Sequence, residues 1–286
     1  MIKKGFGVSH RPWTREEVLL AINLYCKTPY ARLNQIYPEV KALAKLIDRT
    51  PSAVSMRCCN YASFDPVESQ RVKGLVHASK GDKKIWDEVL EDWEAFILES
   101  ERLLAERQHA AGASAEDMPP TQETNLNLPH SSDEKECFPQ GDEKTCPARI
   151  RVGQQFFRKA VLTAYENRCC VSGLNHEALL VASHIKPWRD SDPKTERANP
   201  RNGLCLSALY DRAFDAGLMT LDDSLHVIFS STLREHITRK VYSRFFAPYD
   251  GKKLQHPSVR FQPSATFLSY HREHIFEHQE LSHELD

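Results

Sequence analysis

The chain has 286 residues, 41% of them hydrophobic and 27% charged, with a formal net charge of −1. That length suits two ordinary domains better than one. No apolar run approaches the roughly 20 residues that a membrane span needs, so no membrane partner is expected.

The near-zero charge hides segregation. Residues 1–84 carry 15 Lys/Arg against 7 Asp/Glu, residues 85–107 carry 2 against 8, residues 108–147 again 2 against 8, and residues 148–286 carry 19 against 16. A basic front followed by acidic segments suits a protein that meets a polyanion at one end. The opening residues are basic without an apolar core behind them, so no secretory leader is expected and a cytoplasmic location follows.

Residues 1–107 are predicted to be helical. Thr14 followed by Glu17 forms a capping box ahead of Val18, Leu19, Ile22 and Tyr25 at helical spacing. Pro38-Glu39 opens a second helix through Val40, Leu43 and Ile47. Thr50-Pro51 then starts a third through Val54 and Met56. Three short helices with a tight turn before the last outline a helix-turn-helix or Myb-like module. Arg49 and Arg57 are candidate DNA contacts there, with Ser52 and Ser55 on the same helix. A longer acidic helix is expected from Lys83 to Arg107, its apolar stripe serving as packing surface. Whether this domain meets DNA or a protein partner stays open at this point.

Residues 108–147 are polar, acidic and proline-bearing, and are expected to be a flexible, protease-sensitive linker. Residues 148–286 form the second domain, with an amphipathic helix over 154–165 and strand-like pieces at 168–173, 179–185 and 225–229. A closing helix over 270–278 completes an α+β pattern. The eight cysteines are read as buried thiols rather than a disulfide framework. Cys58-Cys59 and Cys169-Cys170 are adjacent pairs without two CxxC knuckles, so no structural zinc is expected.

The chemistry concentrates in Ala182-Ser-His-Ile-Lys-Pro-Trp188 and Asn199-Pro-Arg-Asn-Gly-Leu-Cys-Leu-Ser-Ala-Leu-Tyr-Asp-Arg-Ala-Phe-Asp215. His184 ends a short apolar run, and Asn202-Gly203 reads as a turn dipeptide. Asp211 and Asp215 stand four residues apart, so a helix would project both from one face. An imidazole and two carboxylates gathered this way could hold a hard cation and activate water.

These two motifs resemble the HNH nuclease family, over roughly Arg151 to Ser230. The resemblance implies a ββα-metal finger that hydrolyses DNA phosphodiester bonds. It makes His184 the general base, Asn202 the residue that pins the loop and orients that base, and Asp211 a metal ligand. Many members place a metal-binding Asp or His just before the base, where this chain has Ser183, a weak candidate ligand, so Asp215, water or a backbone carbonyl are candidates to complete the shell. Oxygen donors favour Mg²⁺, with Mn²⁺ as the second choice. Lys186, Arg189 and Arg212 are candidate phosphate contacts, and Trp188 is read as a packing residue.

The resemblance further implies restriction or phage defence, with DNA as substrate and defence-system proteins as partners. Two cuts from single-metal sites call for two protomers, so a homodimer on DNA is an expectation. The alternative is a DNA-binding regulator whose finger has lost its activity, and Ser183 is the feature that favours it.

Overall fold

A computed structural model describes residues 11–64, 79–112, 145–255 and 260–276. Most of the expected linker, like the end of the expected closing helix, lies outside these residues. The chain divides into two compact units, Met1–Glu123 and Thr124–Asp286, and its architecture is α+β. No helix among the described residues is long and apolar enough to cross a membrane.

The first unit is helical. Helix α1 (Arg15–Lys27) starts at the capping box, in which Thr14 Oγ1 accepts from the Glu17 amide and Glu17 accepts from the Thr14 amide. Helices α2 (Pro38–Leu46) and α3 (Pro51–Tyr61) each begin on proline, and the turn between them holds Asp48 at φ 51°. The single acidic helix expected over 83–107 is two: α4 (Lys80–Glu91) and α5 (Trp93–Ala110). Asp92 breaks it by leaving the helical region (φ −149°, ψ 83°) and capping the Ala95 amide with its carboxylate. Helix α5 runs past residue 107, so the start of the expected linker is helical. Tyr25, Tyr61 and Trp86 pack ring against ring at 5.8–5.9 Å to form the centre of this core.

The charge segregation of the sequence is cancelled in space. Arg15 pairs with Glu99 and Glu88, Lys27 with Glu101 and Arg107 with Glu16, so the basic segment closes on the acidic one, while Arg57 pairs with Asp82 inside the basic segment itself. Arg49 and Arg57, expected at a DNA surface, are internal braces. The Arg49 side chain is 4% exposed, holds Glu17 at 2.9 Å, and donates to the carbonyls of Arg11 and Pro12. Both guanidiniums lie over the Trp13 ring, at 4.9 and 4.3 Å. Burial pushes the Glu17 carboxyl upward, but bonds from Arg49, the Thr14 amide and Arg11 outweigh it, leaving the pKa below its ordinary value.

The second unit is built on a hairpin. Helix α6 (Thr145–Ala164) begins nine residues before the expected 154, inside the stretch read as linker. Residues 168–173, expected as a strand, form turns instead, closed by bonds from the Cys169 amide to Leu174 and the Gly173 amide to Cys169. Strands β1 (Leu180–His184) and β2 (Gly203–Ser207) pair antiparallel, with Leu180 opposite Ser207 and His184 opposite Gly203. Helix α7 (Ala208–Asp215) follows β2 directly and packs across both strands.

A second hairpin, β3 (Met219–Leu221) and β4 (Val227–Phe229), leads to α8 (Ser231–His236) and α9 (Arg239–Phe245). The closing helix α10 (Ala265–His271) starts five residues earlier than expected and runs into a wider turn, Arg272–Phe276. Gly203 is not a turn residue: its backbone is extended (φ −131°, ψ 143°). A Cβ there would lie 2.4 Å from Val161 Cγ2 and 2.9 Å from Phe157 Cζ, so the glycine lets β2 press against α6.

Removing one partner of the buried Glu17–Arg49 pair leaves the other charge uncompensated. Arg49→Ala is expected to lower stability by about 3–5 kcal/mol in urea unfolding without weakening DNA binding. Combining Glu17→Gln with Arg49→Met should recover much of the loss.

Candidate active site

Asn202 is the organising residue. It is 0% exposed and sits where a 3₁₀ turn, Pro200–Asn202, meets β2. Its Oδ1 accepts from the Lys186 amide at 2.8 Å. Its Nδ2 donates to the Lys186 carbonyl at 3.1 Å, Ser191 Oγ at 3.2 Å and the Glu196 carbonyl at 3.4 Å. One buried amide thereby holds both ends of the segment 186–196 that follows β1. Ser191 tightens it by donating to the Lys186 and Pro187 carbonyls.

The next residue along, Arg197, presents its carbonyl to His184 Nε2 at 2.9 Å. A carbonyl can only accept, so Nε2 carries a proton, and in the neutral ring Nδ1 is then the nitrogen with the lone pair. The ring is stacked on Phe157 at 3.9 Å with an 8° interplanar angle, and Trp188 meets it edge-on at 5.6 Å. Arg197 also fastens the segment through Nε, which donates to the Trp188 and Ser191 carbonyls at 3.1 Å, while its guanidinium lies over Trp188. Phe157 and Arg197 were not singled out from the sequence. Phe157 looks like any apolar helix position, and Arg197 acts on the histidine through a backbone carbonyl, which no residue type encodes.

Strand alternation places His184 and Ser183 on opposite faces of the hairpin. The His184–Gly203 face meets Phe157 and Val161 of α6. Val181, Ser183, Leu204 and Leu206 form the other face. Ser183 is 3% exposed, and its Oγ is buried without a hydrogen-bond partner. Asp211 is half-buried and Asp215 exposed on α7, one helical turn apart.

Among the described residues, no three His, Cys, Asp or Glu side chains form a group that could cage a metal. The oxygen groups of the two motifs are the buried Ser183 hydroxyl, which lacks a hydrogen-bond partner, and the Asp211 and Asp215 carboxylates on α7. That set fits a hard cation that keeps much of its water, as Mg²⁺ does. Burial pushes the Cys170 thiol well up and the Cys205 thiol to about 12, so both stay protonated.

Of the expected phosphate contacts, Lys186 is already engaged: Nζ lies 2.7 Å from Glu196 and over the Tyr270 ring. Tyr270 thus packs against Lys186. Arg189 is exposed, with Asp190 3.6 Å away, and Arg212 is exposed on α7. His271 fastens the end of α7. It is 1% exposed and stacked on Phe214 at 3.7 Å; Nε2–H donates to the Phe214 carbonyl, and the Thr220 hydroxyl donates to Nδ1.

A histidine ending β1, a buried asparagine opening β2 and a carboxylate-bearing helix directly after it define a ββα nuclease finger. Residues 169–222 match the family model described as HNH endonuclease. HNH nucleases generally use a divalent metal. Among solved structures, a "Modification dependent TagI restriction endonuclease" is similar at 20% identity and a TM-score of 0.28. That similarity covers 42% of this chain and spans 37% of the other's length. No curated protein matches the chain.

Burial pushes His271 down to about 4. The unfolded chain takes up this proton near the ordinary imidazole value, whereas the folded one resists until about 4. The stability contributed by neutral His271 is therefore complete above about pH 6.5 and is lost as pH falls toward 4, by about 3 kcal/mol in all. Urea unfolding at a series of pH values should show this slope, and His271→Gln should flatten it.

Proposed function

We propose that the chain is a metal-dependent DNA endonuclease in which His184 Nδ1 takes the proton from the attacking water. The observation that carries this reading is the Nε2–H bond to the Arg197 carbonyl, which leaves the other ring nitrogen as the acceptor. Phe157 and Trp188 fix the ring plane, so the lone pair has one direction. Asn202 acts at one remove, by holding the segment whose end supplies that carbonyl.

Ser183 Oγ and Asp211, with Asp215 and water, are the groups that would hold Mg²⁺ or Mn²⁺ on the opposite face of the hairpin. When bound, the cation would neutralise charge growing on the scissile phosphate and the leaving 3′ oxygen. Base and oxygen donors would then address the phosphodiester from two sides.

The N-terminal unit is assigned to recognition of DNA or of a partner protein, through the groups its internal ion pairs leave at the surface: Lys41 and Lys45 on α2, and Ser52 and Met56 on α3. Restriction or phage defence in the cytoplasm is the role the HNH resemblance implies, with a homodimer on DNA giving double-strand cuts. Ser183, in the position of the usual acidic ligand, is what favours the regulator reading.

Incubation with supercoiled plasmid separates the two. The nuclease reading expects nicking that requires Mg²⁺ or Mn²⁺ and falls at least about 100-fold in His184→Ala, with DNA affinity retained. Wild-type protein that binds DNA and never cuts it with any divalent ion would establish the regulator.

A further inference from the structure

Helix α9 has a composition that its packing does not explain. Over Arg239-Lys-Val-Tyr-Ser-Arg-Phe245 only Tyr242 is partly sheltered, stacked on Phe246 and donating its hydroxyl to Asp250 at 2.9 Å. The other six residues are exposed, including Val241 at 40% and Phe245 at 43%. Cations nearby are neutralised: Arg234 pairs with Asp250 and Arg272 with Asp223, each at 2.6 Å. Among the described residues, no carboxylate pairs with Arg239, Lys240 or Arg244. Lys252 and Lys253 are likewise exposed, on a turn bonded to β4 through the Val227 amide and carbonyl.

We propose that α9 and the 252–253 turn form a backbone-binding surface for duplex DNA, with Arg239, Lys240 and Arg244 as its phosphate contacts. The inference rests on the nuclease reading and adds residues that neither motif contains. Charge complementarity carries it: a polyanion with regularly spaced phosphates is the partner such a surface lacks. Lys240 and Arg244 stand one helical turn apart and so line one face. Arg244 lies over the Phe245 ring at 5.5 Å, which keeps its guanidinium at the surface beside an apolar face.

The surface is also tied to the finger. Tyr210 donates its hydroxyl to the Phe245 carbonyl at 2.6 Å and packs edge-on against Phe246 and Tyr249. Tyr210 immediately precedes Asp211 on α7, so DNA held by α9 is held at a fixed offset from the oxygen donors.

The test measures fluorescence anisotropy of a labelled duplex against salt, using the full chain in a His184→Ala background. Each lost phosphate contact lowers the slope of log K on log salt by about 0.9. Changing Arg239, Lys240 and Arg244 together to Ala is expected to reduce the slope by about 2–3 and to weaken binding at least about 10-fold at physiological salt. The charge-keeping set Arg239→Lys, Lys240→Arg and Arg244→Lys should retain the wild-type slope. An unchanged slope in the alanine variant overturns the proposal while leaving a wild type that cuts plasmid as a nuclease. A wild type that neither binds nor cuts DNA overturns both. Binding to vesicles rich in acidic phospholipid without affinity for duplex would make the surface a membrane contact and equally sink it.

Discussion

The buried amide of Asn202 is the constraint on which the catalytic unit turns. An amide removed from water must find partners for two donors and an acceptor, or its burial is costly. All of those found here lie on the segment between Lys186 and Glu196. That segment contains no regular strand or long helix of its own, so side-chain bonds give it its shape. Because it ends at Arg197, satisfying Asn202 also decides where the Arg197 carbonyl points and which nitrogen of His184 is protonated. On the proposed reading of His184 as the base, a stability requirement and a catalytic one are met by the same bonds.

The hairpin divides the remaining work between its faces. Alternation turns His184 toward aromatic neighbours and Ser183 toward the opposite face. A histidine pressed on a phenylalanine has its ring plane fixed by packing, and a buried hydroxyl without a partner is a donor held in reserve. Gly203 makes the first of these possible, because any side chain there would push α6 and its Phe157 away from the strand. The carboxylates of α7 are more exposed than the Ser183 hydroxyl, which would suit a cation that keeps part of its water.

Much of this was readable from residue order. The capping box at Thr14, the proline starts of α2 and α3, and β1 ending at His184 all follow from local signals that tertiary contacts did not override. The failures have specific causes. Charge counted along the sequence suggested a DNA-facing front, but folding brings α4 and α5 back onto α1, and Arg49 and Arg57 go to Glu17, Asp82 and Trp13. A stripe running through 83–107 hid the break at Asp92, because a capping aspartate and a surface aspartate look alike. Asn202-Gly203 has the composition of a turn, while its glycine is selected by proximity to Val161 and Phe157. The basic run at 239–244 drew no notice, since only the structure shows which cations lack carboxylate neighbours.

The most direct measurement of this account is the protonation pattern of the His184 ring. Long-range ¹H–¹⁵N correlation on selectively labelled protein near neutral pH should show a protonated Nε2 and an unprotonated Nδ1. In Asn202→Ala that single pattern should give way to a mixture, as the Arg197 carbonyl loses its fixed place. Wild-type protein with the proton on Nδ1, or an Asn202→Ala spectrum identical to wild type, would contradict the claim that the buried amide sets the base.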